Sequence, residues 1–289
     1  MDESIYWAWL TIGAFGSLRT WTLLRTGFSP SKLYRIVKNG ENPGFTPAEF
    51  KKLRNTSLRK AEYVLSTAKA HNINVYTPDD YGYPSKLLNI ANPPAMLFSY
   101  GSLEDISISP SVAVIGSRSA DDYALYAANT ISRQLADKGI TIISGFAKGI
   151  DSCAHNAALN AAGQTLAVLG CGIEYDYPHG TMPFKRRIAE NGAVISEFFP
   201  AAEPKAENFK IRNRIISALS DGILVISAGK HSGTLNTVSH ALDQGKDIFV
   251  LAPHDVFSGS YDGNIALLRD GATPIYSSAD IFNSLKTEL

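Results

Sequence analysis

Val112-Ala113-Val114-Ile115-Gly116-Ser117-Arg118-Ser119 is the stretch whose reading decides the fold. A short run of β-branched and small apolar residues closes on a glycine and a polar loop. It reads as a strand buried on both faces, because alternation with polar residues is missing. The same signature returns at Ile140–Ser144, Thr165–Leu169, Ala193–Ser196, Ile223–Ile226, Ile248–Leu251 and Pro274–Tyr276. Segments long enough for a helix separate these runs. Strands alternating with helices, joined by right-handed crossovers, give an α/β domain: a doubly wound, mostly parallel sheet over residues 111–289.

Upstream the pattern changes. Residues 1–75 read as a small all-helical domain, with Trp9, Leu10, Ile12, Leu18, Leu23, Leu24, Leu33, Ile36 and Val37 at helical spacing and breaks at Gly27 and Ser29-Pro30-Ser31. A last amphipathic helix is expected from about Pro47 to Ala70. Lys51, Lys52, Arg54, Arg59 and Lys60 decorate it, and they read as a solvated face. Residues 76–110, with Tyr83-Pro84 and Asn92-Pro93-Pro94, cannot form helix interior. They read as a connector packing on the main domain without forming core.

The 289 residues are 45% apolar, so a full core can form, and 27 basic residues balance 27 acidic ones. A neutral chain excludes nucleic-acid binding by bulk charge; any such binding needs a local basic patch. The two cysteines, Cys153 and Cys171, form no CxxC pair, which argues against a disulfide scaffold and for a reducing, cytoplasmic setting. Cys153 and His155 are too few ligands for a metal site, and none is expected. The apolar stretch Ile5–Leu18 follows Asp2 and Glu3 and is too short to span a bilayer, so no membrane association is expected.

In a doubly wound sheet, ligands bind beyond the carboxyl ends of the strands. Four loops there carry glycine: Gly116 to Ser119, Gly145 to Asp151, Gly170 to Pro178, and Gly229 to Leu235. Glycine permits close backbone approach, and the next helix offers free N–H groups to an anion. Arg118, Lys148 and Lys230 are interleaved with these loops, and the set points to anion binding. A P-loop is excluded, because no GxxxxGK[ST] occurs. A dinucleotide fingerprint is weak, because Tyr175 stands where a third glycine belongs after Gly170 and Gly172. No GxSxG elbow exists for a serine hydrolase.

The helix containing Phe209-Lys210-Ile211-Arg212-Asn213-Arg214-Ile215-Ile216 buries Ile211, Ile215, Ile216 and Leu219 by spacing, and Arg212 falls in the same arc. Either Arg212 forms an internal ion pair or it points from the ligand edge to a phosphate. Lys210 and Arg214 are expected on an exposed face that widens the positive surface. Lys185-Arg186-Arg187 and Lys205 extend it or are ordinary surface charges. Phe146, Tyr175, Tyr177 and Phe209 could stack bases, with core or turn roles as the alternative; Tyr177 before Pro178 reads as structural.

Several runs together resemble the DNA-processing protein A (DprA/Smf) family: Ala113 to Arg118; Ser144 to Asp151 followed by Ala154-His155; Ala167 to Gly172 leading to Tyr177-Pro178; Ile195 to Phe198; Arg212 to Ile216; Ser232 to Leu235; and Gly271-Ala272. The likeness covers about residues 80–280. It implies a Rossmann-like main domain preceded by a degenerate sterile-alpha-motif-like domain. It also implies a protein without catalytic residues or cofactor, which binds single-stranded DNA, protects incoming strands in natural transformation and helps load the recombinase RecA. The DNA-binding residues it implies are Ser117, Arg118, Gly145, Phe146, Lys148, Gly149, Gly170, Gly172, Lys205, Arg212, Asn213, Arg214, Ser232, Gly233 and Thr234. A homodimer through Ile265, Leu267 and Leu268 is implied as well, with a core role for that apolar face as the alternative. The alternative is a nucleotide phosphoribohydrolase of the lysine-decarboxylase-like group. Thr237 then stands where that chemistry needs a carboxylate.

Overall fold

The computed structural model describes residues 2–104 and 109–286. It opens with five helices: α1 (Glu3–Ala14), α2 (Leu18–Arg25), α3 (Pro30–Lys38), α4 (Pro47–Asn55) and α5 (Leu58–Ala70). Local chemistry sets their starts. Ser29 caps α3 ahead of Pro30, and Thr46 with Glu49 closes a capping box on α4. The single helix expected from Pro47 to Ala70 is two helices. The Thr56 hydroxyl donates to the Lys52 carbonyl, and the Ser57 hydroxyl accepts from the Lys60 N–H to start α5 afresh. The helix α1 lies at the centre, with Trp7 through Ala14 buried. A Cβ on Gly13 would come within 2.2 Å of the Leu53 side chain, so glycine lets α4 press against α1.

Among the described residues nine strands form one sheet: β1 (Asn74–Tyr76), β2 (Leu97–Gly101), β3 (Ser111–Ile115), β4 (Thr141–Ser144), β5 (Thr165–Val168), β6 (Gly192–Ser196), β7 (Gly222–Val225), β8 (Asp247–Leu251) and β9 (Thr273–Ile275). Their order is β1-β2-β6-β5-β4-β3-β7-β8-β9, with β3 to β9 parallel and β1 and β2 antiparallel at one edge. Helices α6 (Asp122–Ala136), α7 (Ile150–Asn160), α8 (Met182–Glu190), α9 (Ala206–Leu219), α10 (Thr234–Asp243), α11 (Asp262–Arg269) and α12 (Ser278–Lys286) complete the main domain. The doubly wound, Rossmann-like architecture preceded by a helical region is thus present.

The stretch read as a coreless connector does form core. Between them β1 and β2 extend the sheet, Leu87, Ile90 and Leu97 join one apolar cluster, and Met96 and Phe98 join another. Prolines flanking very short strands hid this in the sequence. The second cluster runs without interruption from Trp7 and Trp9 through Phe98 to Ala167 and Val194, tying the helical region to one face of the sheet. Trp21 and Arg25 add polar ties to the Pro93 and Ile90 carbonyls.

The strand order reverses between β3 and β7, so the crevice of this sheet opens above those two strands. No helix among the described residues is long and apolar enough to cross a membrane.

Candidate nucleic-acid interface

The loops after β3 and β4 are built against each other. Ile150 N–H donates to the Ser117 carbonyl, and Gly149 has φ 78° where a Cβ would lie 2.4 Å from that oxygen. Only glycine fits there. The Ser144 hydroxyl donates to the Val114 carbonyl, and the Asp151 carboxylate accepts from Ala147 N–H. The loop is therefore held from both ends, with exposed Lys148 at its tip. Phe146, at φ 60°, turns inward; its ring is buried and stacks on Phe184 with centroids 5.4 Å apart.

The first turns of α9 cover the carboxyl ends of β4 and β5. Arg212, 5% exposed, donates to the carbonyls of Gly145 and Val168 and to the Asn213 side chain. It also lies at the floor of the crevice. Its charge is thus held on strand-end carbonyls, with Asp151 opposite. Burial pulls the guanidinium down to about 10, the Asp151 charge working against that, while burial raises the Asp151 carboxyl above its ordinary range. A Cβ on Gly145 would sit 2.8 Å from both groups, so this glycine makes room for their approach.

Two expectations for this helix are overturned. Arg214 is not on an exposed face. It is buried, and its two terminal nitrogens donate to the two Glu197 oxygens at 2.6 and 2.7 Å while Nε donates to the Asn92 carbonyl. The face read as solvent-exposed packs on the loop after β6, whose buried acid claims the guanidinium. Ile211, expected inside, is 40% exposed, because the first turns of α9 project beyond the sheet.

Two adjoining depressions of about 430 and about 660 Å³ form one groove along this edge. Arg118, Ser119, Ala147, Tyr177 and Phe209 line both. Exposed Arg118 and buried Arg212 each hold a guanidinium carbon 5.9 Å from the Phe209 ring centroid, and Tyr177 approaches the same ring at 5.5 Å. A Cβ on Gly170 would lie 2.5 Å from that ring, so glycine lets Phe209 rest on the β5 loop. Arg118, Lys148, Gly145, Phe146 and Gly170 line the first depression; Ser117, Arg212, Asn213, Ser232, Gly233 and Thr234 line the second. A Cβ added at Gly233 would meet nothing within 4 Å, so its backbone is open to a ligand.

The remaining expected residues fall elsewhere. Gly172 packs against the Phe199 and Pro200 carbonyls and lines neither depression. Lys205 is exposed just before α9, outside the lining, and Arg214 is internal. Lys185, read as surface charge, is fully buried and donates to the carbonyls of Ile173 and Tyr175, fixing the loop that carries Tyr177. Asn264 was not singled out. Buried in α11, it accepts from Ala228 N–H and donates to the Ile226 and Leu251 carbonyls, so it clamps the ends of β7 and β8. A lone asparagine beside the apolar run Ile265 to Leu268 was its only signal. Leu267 and Leu268 are half-buried and pack on the core, with Ile265 half-buried beside them. Among the described residues, no three His, Cys, Asp or Glu side chains gather to hold a metal.

Residues 74–286 match the family model described as DNA recombination-mediator protein A. The chain is 34% identical over 226 residues to DNA processing protein DprA of Bacillus subtilis (strain 168), covering 78% of this chain and 76% of that one. It is 36% identical over 199 residues to DNA processing protein DprA of Streptococcus pneumoniae (strain ATCC BAA-255 / R6), covering 69% and 70%. The X-ray structure of DNA processing protein A from Streptococcus pneumoniae superposes with a TM-score of 0.81 at 28% identity, covering 95% of each chain. DNA processing protein A from Helicobacter pylori, in a structure that concerns its single-stranded DNA binding mode, superposes with a TM-score of 0.66 at 28% identity, covering 74% of this chain and 97% of that one.

Proposed function

The chain belongs to the DNA recombination-mediator protein A family, and from that premise we propose that it binds single-stranded DNA in the groove above β3 and β7, without turning it over chemically. The observation that carries this reading is the meeting of Arg118, Arg212 and Lys148 around Phe209 in one concavity. Exposed cations neutralise phosphates, open backbone at Gly233 admits close approach, and an aromatic face accepts a base of any identity. Stacking on a ring takes any base, so weak sequence preference is expected. The relative from Helicobacter pylori, whose structure treats single-stranded DNA binding, supports the same ligand.

Bound strands would be shielded and handed to the recombinase RecA during natural transformation, with two chains pairing through the region of Ile265, Leu267 and Leu268. The non-catalytic role is supported by Thr237, buried at the groove floor where a phosphoribohydrolase needs a carboxylate, and by Asp151, which is engaged by the Ala147 N–H. Fluorescence anisotropy with single- and double-stranded oligonucleotides tests the reading. Preference for single strands, lost when Arg118 and Lys148 both become Ala in a folded protein, is the expected result. Unchanged affinity in that variant, or steady release of free base from nucleoside monophosphates, would overturn it.

A further inference from the structure

The neutral total hides a strong segregation of charge. Residues 1–73 hold eleven Lys and Arg against five Asp and Glu, whereas residues 74–289 hold sixteen against twenty-two. The helical region is the basic part of an otherwise acidic protein. Its excess concentrates at the junction of α4 and α5, where Lys51, Lys52, Arg54, Arg59 and Lys60 lie within ten residues and all are exposed. Among the described residues none of the five has a carboxylate within 4.0 Å. Lys38 joins them from α3, its ammonium donating to the Arg54 and Thr56 carbonyls. Glu49, the nearest acid in α4, is turned back into the Thr46 cap, and Glu62 is the acid of the facing part of α5.

Such crowding repels itself and destabilises the fold unless an anion covers it. Tyr63 indicates which anion. It is 69% exposed, one helical turn beyond Arg59 and Lys60 on α5. A bare aromatic ring among unpaired cations is what an unstacked base with its phosphates fits; a duplex would offer the ring no free base face. The helical region that carries the patch is tied to the loops after β5 and β6. At the far end of α5, His71 contacts Glu174 in the loop after β5, and at the end of α1 the Phe15 ring meets Phe198, just past β6, at 5.4 Å. A helix of 13 residues spans about 20 Å, so α5 reaches from the loop after β5, which also carries Tyr177, to the basic shoulder.

We infer that the α4–α5 shoulder is a second contact for the same single strand, with Tyr63 stacking a base and the surrounding Lys and Arg side chains following its phosphates. This inference rests on the single-strand reading of the groove. The test compares oligo-dT of about 6 nucleotides, enough for the groove, with oligo-dT of about 30. The full chain and the variants Tyr63→Ala, Arg59→Ala/Lys60→Ala and Arg118→Ala are each titrated over a range of salt. All four substituted side chains are exposed, so folding is spared.

For the long strand, Tyr63→Ala weakens binding roughly fivefold or more. Arg59→Ala/Lys60→Ala flattens the slope of log K against log salt by about 0.7 for each phosphate that is no longer neutralised. The short strand binds both variants as it binds the parent. Equal binding of the long strand by parent and shoulder variants would overturn the inference, as would equal weakening for both lengths. So would a duplex that loses as much affinity as the long single strand. Arg118→Ala separates the two readings. If it alone weakens the short strand, the groove stands whatever the shoulder does; if it has no effect, the groove reading fails with it.

Discussion

The Arg214 guanidinium and the Glu197 carboxylate meet in a two-pronged contact, Nη1 to Oε1 at 2.6 Å and Nη2 to Oε2 at 2.7 Å, with both side chains buried. Neither charge can be left alone without a large desolvation cost. Glu197→Ala therefore destabilises the fold by about 3–5 kcal/mol, read from urea denaturation, and Arg214→Ala does the same. The double replacement costs less than the sum, because it strands no charge. Any folded Arg214→Ala protein keeps its affinity for single strands, since the side chain does not reach the groove.

Arg118, in the loop after β3, is exposed and lies over the Phe209 ring. Arg118→Ala should leave the denaturation midpoint within about 0.5 kcal/mol of the parent, as surface changes do. It should also weaken single-strand binding and flatten its salt dependence by about 0.7. Arg118→Lys keeps the point charge but not the flat contact with the ring, and recovers only part of the affinity.

Gly145 stands where a methyl group would meet Arg212 and Asp151 at 2.8 Å. Gly145→Ala must move one of them and costs about 1–3 kcal/mol by overpacking. It also disturbs the crevice floor, so affinity falls at a temperature where the variant is still fully folded. Equal affinity under those conditions would show that the floor does not matter for binding.

His155 is buried with Nδ1 2.7 Å from the Thr165 hydroxyl, and its Nε2 has no partner. Burial first, and the Arg212 charge second, lower its pKa from 6.5 to about 3. The unfolded chain therefore takes up a proton between those values that the folded chain refuses. Stability is lost as pH falls through this window, by at most about 1.4 kcal/mol per pH unit. Asp151 acts in the opposite sense, because its raised carboxyl holds a proton in the folded state to higher pH. Urea midpoints for His155→Gln between pH 7 and 5 should fall less steeply than those of the parent. Parallel profiles would refute the assignment.

Much of the fold was legible because its signals are local. The strand runs from Val112 to Tyr276 are apolar on both faces, and each matches an observed strand to within a residue or two at its ends. Leu97 and Phe98 were missed because a five-residue strand just after Pro93-Pro94 has too little pattern to declare itself. In the groove, Arg118 and Lys148 were legible from their position after glycines at strand ends. Arg214 and Lys185 are both buried where a surface position was expected, since a helical wheel gives an angle but not the neighbour waiting at that angle.

By itself the sequence determined the order of strands and helices and the glycine-lined loops at the carboxyl edge, because backbone conformation and two-sided burial leave their mark residue by residue. Only the tertiary structure decided which cations are free. Arg212 and Arg214 are two residues apart on one helix, yet one lies on strand-end carbonyls at the crevice and the other is locked to Glu197. That difference depends on partners 17 to 67 residues away in the chain, brought within 3 Å by packing that no local pattern encodes.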